Sequence, residues 1–196
     1  MGTATIFDEK RGQPPSRYVA FLRAINVGGH VVKMADLRKH FELLRFANVE
    51  TFIASGNVVF DTAAAPDRAL EEQIEAHLHK RLGYRVDTFV RSIPELQAIA
   101  DYQPFKNAGF DADGARRYVG FLSAPPPAAT ARKLNAFRTD TEALRVRGRE
   151  FYWIATVPSS ESAFTGGALE KLLGMPTTLR NINTVQRVVA KYATHD

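Results

Sequence analysis

Cysteine is absent from the 196 residues. That absence excludes disulfides, thiol nucleophiles, iron–sulfur clusters and thiolate zinc sites together, and it fits a reducing compartment. Long apolar runs are missing too: none approaches the ~20 residues of a membrane span. The opening MGTATIFDEKRGQPPS is polar, broken by prolines, and has no apolar centre of the kind a signal peptide carries. A cytoplasmic protein with no membrane partner is expected, with residues 1–16 as a flexible N-terminal tail.

What is present is ordinary globular material: 45% hydrophobic and 24% charged residues. A chain this long can bury a core without a metal or a disulfide. The net charge of +5 is uneven. Up to Phe110 there are 14 basic and 13 acidic residues, and from Asp111 onward 12 and 8. A basic second half suits an anionic partner, either a small phosphorylated molecule or nucleic acid, or it serves solubility alone.

Tyr18 to Ile25 reads as a strand. Met34, Leu37, Phe41 and Leu44 then recur at helical spacing. Val49–Ala54 and Val58–Phe60 read as two strands joined by Ser55-Gly56-Asn57, which has hairpin composition. Leu70, Ile74, Leu78 and Leu82 mark a second helix, with Asp67 suited to its start and Gly83 to its stop. A fourth strand, Val86–Val90, leads into a capping box formed by Ser92 and Glu95. The order βαββαβ is that of a split-βαβ, ferredoxin-like unit. Asp101–Ala115, rich in Pro, Gly, Asn and Asp, reads as a linker.

The pattern then starts again. Residues 17–24 are RYVAFLRA and residues 117–124 are RYVGFLSA, agreeing at six of eight positions. A hairpin turning at Arg147-Gly148-Arg149, a short helix ended by Gly174, a strand stub at Thr177–Arg180 and a final helix capped by Asn183 or Thr184 follow. The expected fold is α+β: two tandem ferredoxin-like (βαββαβ) halves, 17–100 and 116–196, joined by a linker at 101–115 and forming one compact protein.

Three segments, FLRAINVGG (21–29), TFIASGNVVF (51–60) and LEKLLGMPTTLRNINTV (169–185), resemble the family called domain of unknown function 1697. The resemblance implies a fold and motif positions but no reaction. The chain departs from the pattern at Ala24, where a glycine is expected, and at Ile182, where an aromatic is expected.

Several residues are candidates for ligand binding. Asn26, Gly28 and Gly29 lie in a strand-to-helix loop whose free amides can hold an anion, although neither GxGxxG nor GxxxxGK[ST] surrounds them. Arg23 shares an apolar strand face with Val19, Phe21 and Ile25 and needs a partner: a carboxylate in the other half, or an anionic ligand between the halves. Thr178, Arg180, Asn181 and Asn183 combine hydroxyl, guanidinium and amides at a helix start, with Lys171 nearby, a set suited to phosphate or carboxylate. Ser55 has no assignable base, and the topology is expected to put its turn at the opposite end of the sheet from Gly28-Gly29. Arg145, Arg147 and Arg149 beside Phe151, Tyr152 and Trp153 read chiefly as edge protection and core. No histidine pair has metal-ligand spacing, so no metal and no cofactor is expected.

The best reading at this level is a binding protein for a phosphate-bearing or other anionic ligand, nucleic acid included. The alternatives are an enzyme acting on a small anionic substrate between the halves, and a non-catalytic interaction module or homodimer.

Overall fold

The computed structural model describes residues 15–26, 29–53, 56–106, 109–110, 114–158, 161–162, 164 and 166–193. The chain is α+β, with two four-stranded antiparallel sheets and six helices. The first half runs β1 (Ser16–Leu22), α1 (Met34–Leu43), β2 (Ala47–Thr51), β3 (Asn57–Thr62), α2 (Arg68–Leu82), β4 (Thr88–Ser92) and α3 (Ile93–Asp101). The second repeats that order: β5 (Arg116–Phe121), α4 (Ala128–Ala136), β6 (Glu142–Arg147), β7 (Glu150–Ala155), α5 (Gly166–Leu173), β8 (Thr178–Asn181) and α6 (Ile182–Tyr192). The sheets are ordered β2-β3-β1-β4 and β6-β7-β5-β8. Among the described residues no helix is long and apolar enough to cross a membrane.

Local chemistry explains most boundaries. The Asp67 side chain accepts from the Leu70 N–H to start α2, and Gly83, in the left-handed region at φ 80°, stops it. Ser92 and Glu95 form a complete capping box on α3. The last helix differs from expectation. Its cap is Asn181, not Asn183 or Thr184, because the helix begins at Ile182 and the Asn181 side-chain Oδ1 accepts from the Asn183 N–H. β1 starts at Ser16, two residues before the expected strand, and β4 lies two residues later than expected.

Strand alternation divides the apolar residues into three cores. Tyr18, Ala20 and Leu22 point to α1 and α2, while Val19 and Phe21 point to the other face. Leu122, Leu144 and Phe151 line the matching helix-side core of the second half. The third core is the seam, where the two remaining sheet faces meet with α3 and α6 packed beside them. At its centre Phe21 and Phe121, equivalent residues of the repeat, stack with centroids 4.1 Å apart and planes 9° from parallel. Phe105 and Phe110, from the segment expected to be a linker, are buried in the same seam.

Candidate functional site

All three segments that carry the family resemblance converge at the end of β1. The Leu22 N–H donates to the Gly56 carbonyl at 2.8 Å, and Phe21 is the register partner of Asn57. The Ser55-Gly56-Asn57 turn therefore sits at the same end of the sheet as the loop after β1, not the opposite end. The expectation was wrong because β3 runs antiparallel to β1, so β3 must start where β1 finishes. The approach is close: a Cβ on Gly56 would stand 2.6 Å from Ile25 Cγ2, and φ there is +73°. Ser55 itself lies outside the described residues, as does Gly28.

The third segment joins from the second half. Arg23 donates to both carboxylate oxygens of Glu170, at 2.6 and 2.8 Å, and to Asp87 at 3.3 Å. Glu170 also accepts the Thr177 N–H. The Arg180 guanidinium donates to Asn57 Oδ1 at 2.7 Å, to the Leu22 carbonyl at 3.0 Å and to the Thr178 hydroxyl at 2.8 Å. Burial lowers its pKa to about 10. Arg23 and Arg180 thus come together, each reaching across the seam. The others disperse: Lys171 is exposed on α5, and Asn183 is exposed in the first turn of α6. Asn26 accepts the Val32 N–H at 2.7 Å and closes its own loop, which includes Gly29 at φ 88°.

Ala24, the position where the family pattern calls for glycine, has φ 59°. That left-handed turn ends the strand alternation, so Ile25 falls into the helix-side core rather than onto the seam with Phe21.

The sequence reading missed Arg91, which is fully buried on β4. Val19 is its register partner, as Val119 is that of Arg180, so the two arginines are equivalent. Arg91 donates to Glu150 at 2.7 Å and to the carbonyls of Leu122 and Arg149 at 2.9 and 3.1 Å. Desolvation pushes its pKa down, and the Glu150 carboxylate works against that. Each guanidinium lies over the opposite half's central phenylalanine, Arg91 at 5.5 Å from Phe121 and Arg180 at 5.7 Å from Phe21. The expected strand ended at Val90, one residue short of Arg91, so the anomaly that singled out Arg23 became visible here only with the observed β4 of Thr88–Ser92.

The arginine row of β6 and its turn is likewise engaged internally. Arg145 bonds the Asn135 carbonyl, Arg147 lies over the Tyr102 ring at 4.6 Å, and Arg149 pairs with Glu95 at 3.0 Å. Phe151, Tyr152 and Trp153 are buried.

Open space lies elsewhere, at two equivalent crevices. The first is a broad trough of 750 Å³ lined by Arg17, Tyr18, Asp61, Ile93, Gln97 and Tyr192, among others. Its arginine is closed by a bidentate pair, Arg17 to Asp61 at 2.8 and 3.0 Å, which holds the Asp61 carboxyl below the usual range. The second is a narrower cavity of 110 Å³ between β5, β7, the start of α6 and the segment after α3. Arg117, Tyr118, Ile182 and Gln186 take the places of Arg17, Tyr18, Ile93 and Gln97. Ile154 faces Arg117 where Asp61 faces Arg17. Among the described residues neither Arg117 nor Lys106, which also lines the cavity, has an ion pair. The Tyr118–Trp153 stack, at 4.9 Å, lies on the helix side of the second sheet, while in the seam-side wall Tyr102 meets Tyr152 edge-on at 4.8 Å. Ile182, the second departure from the family pattern, lies in this wall.

Among the described residues no group of three or more His, Cys, Asp or Glu could hold a metal ion.

Residues 16–152 match the model of a family described as "Protein of unknown function (DUF1697)". The first two resembling segments fall in that range, and the third lies beyond it. The chain is similar in structure to the conserved bacterial protein SP0830 from Streptococcus pneumoniae, with a TM-score of 0.69 at 23% identity over 92% of this chain and 99% of that one. At that identity the likeness speaks for the fold. No curated protein matches the chain.

Proposed function

The chain belongs to the DUF1697 family, and on that premise we propose that it is a binding protein for a small anionic ligand, held in the crevice between the second sheet and the segment after α3. The observation that carries this reading is the contrast at one repeated position: Arg17 is neutralised by Asp61, while Arg117 faces Ile154 and shares its crevice with Lys106. Two cations at the rim of an aromatic cavity favour a carboxylate or phosphate with an apolar body.

The frame is read as two ferredoxin-like halves. The strand orders support it, since β3 separates β1 from β2 and β7 separates β5 from β6. The arginines of the seam serve better as clamps than as ligand contacts, because the hydrogen bonds of Arg23 and Arg180 run to groups of the protein. A nucleic-acid strand is the less favoured anion: the faces that could offer stacking aromatics are packed against each other.

A thermal-shift screen at low salt tests the reading with a panel of small carboxylates and phosphates. A true ligand raises the melting temperature of the wild type and not of Arg117→Ala. A panel that shifts neither protein, or shifts both alike, overturns it.

A further inference from the structure

The outer, helix-covered side of the first half carries a feature that the anion crevice does not explain. Among the described residues three large hydrophobic side chains are exposed, Val31, Leu43 and Ile53, and all belong to the first half. Val31 and Leu43 line one groove of 460 Å³, together with Lys33, Lys39, His40 and Leu82. Aliphatic side chains exposed singly are ordinary, whereas two sharing a groove mark an interaction surface. We propose that this groove docks an acidic segment of another protein, one that presents aliphatic side chains along a short helix.

The exposure is built into the loop before α1. His30 stacks on Tyr84 with centroids 3.9 Å apart, and the Val32 N–H donates to Asn26 at 2.7 Å. Val32 is buried, so the chain is pinned on both sides of Val31, whose side chain is 83% exposed. Leu43 ends α1 at 59% exposed. Asp36, Lys39, His40 and Leu43 follow one another at helical spacings of three and four, which places them in one stripe along α1. In the floor, His40 meets His77 of α2 edge-on at 5.7 Å. Desolvation, reinforced by Arg81, holds both imidazoles below their ordinary pKa, so the floor carries no charge at neutral pH.

The rim is basic. Among the described residues Lys33 and Arg81 make no ion pair, and Lys39 reaches Asp36 at 3.5 Å. Three cations around one carboxylate suit an acidic occupant. A second copy of this chain is the wrong partner, because pairing the groove with itself across a two-fold axis sets each lysine against its own counterpart. An anionic bilayer has the right charge and the wrong shape: these aliphatic side chains wall a concavity, which a flat surface bridges and a helix fills. α1 has ten residues, and its length of about 15 Å calls for an occupant of about three helical turns. The second half is a built-in comparison, since α4 stands where α1 does and exposes no large hydrophobic among its described residues.

Display selection on the full chain, with random peptides about three helical turns long, tests the proposal. Enriched sequences are expected to carry leucine, isoleucine or methionine at i, i+3 and i+7, with aspartate or glutamate between them. A labelled peptide of that consensus should bind in fluorescence anisotropy, less tightly as salt is raised. Leu43→Ser should weaken it by about tenfold or more, the scale for truncating an anchor contact. Lys33→Glu combined with Lys39→Glu should turn the selection towards basic sequences. All three side chains are exposed, so these variants should melt with the wild type. Arg117→Ala should bind the peptide as the wild type does, which keeps this surface and the anion crevice separately testable.

A selection that enriches nothing, or a consensus peptide indifferent to Leu43→Ser, overturns the proposal. Co-sedimentation with phosphatidylserine vesicles that Leu43→Ser abolishes and the peptide does not compete reassigns the groove to a bilayer and overturns it too. A dimer in analytical ultracentrifugation that Leu43→Ser dissolves does the same in favour of a second copy.

Discussion

At matching places on the central strands, the first half sets Ala20 against Val58 and the second sets Gly120 against Phe151. A Cβ added to Gly120 would lie 2.0 Å from the Phe151 ring. The two halves fill the same volume with small-plus-medium and with smaller-plus-large pairs, so the single A/G difference within RYVAFLRA and RYVGFLSA is compensated across the sheet. The seam shows the same economy. Arg91 and Arg180 are related by the repeat, yet one meets the Glu150 carboxylate and the other the Asn57 amide. The two halves agree in where a side chain must reach, and each meets that demand with its own chemistry.

The sharpest way to break the comparison is at those arginines. Arg91→Met strands Glu150 at the seam and is expected to cost about 3–5 kcal/mol, the usual penalty for removing one partner of a buried pair. Arg180→Met, which leaves an amide and a carbonyl behind, should cost about 1–3 kcal/mol. Urea denaturation of both variants measures the difference, and equal losses would dissolve the distinction between carboxylate and amide.

The glycine pair comes next. Gly120→Ala should cost about 1–3 kcal/mol through overpacking, and adding Phe151→Val should recover part of it. A double-mutant cycle without coupling would show that the two positions do not trade volume.

The smallest effects belong to Ala24 and its counterpart Ala124. Ala24 has φ 59°, and Ala124 is not among the positive-φ residues. Ala24→Gly should therefore stabilise, by up to about 1 kcal/mol, because the left-handed region costs a side chain about 1–2 kcal/mol and glycine's entropy returns about 0.5–1. Ala124→Gly should destabilise by about 0.5–1 kcal/mol. Melting curves that move both variants in one direction would refute that account.

Features written locally were legible in the sequence. Asp67, Gly83 and the Ser92–Glu95 box each act within a few residues of themselves, and the structure has them in those roles. The Arg23 side chain was recognised as needing a partner, and Glu170 was not nameable because it lies 147 residues away. Arg91 escaped because the expected strand stopped at Val90 and the observed one runs two residues further, to Ser92. The crevice had no local signature: Lys106 and Arg117 are joined by Ile182 and Gln186, far along the chain, only in the folded protein. Asn183 shows the limit at the scale of one residue, since shifting a helix start by two positions turns the expected cap into the capped residue.

The stacked Phe21–Phe121 pair lies where a pseudo-two-fold axis would pass, with each ring meeting its own counterpart. Such self-complementary contact is how isologous dimers are built. One copy alone would expose an apolar sheet face and find a second copy to cover it. Within one polypeptide the pairing of the halves does not depend on concentration, and either half can change without spoiling the other. That freedom is what allows a single guanidinium to be bridged in one copy and left open to solvent in the next.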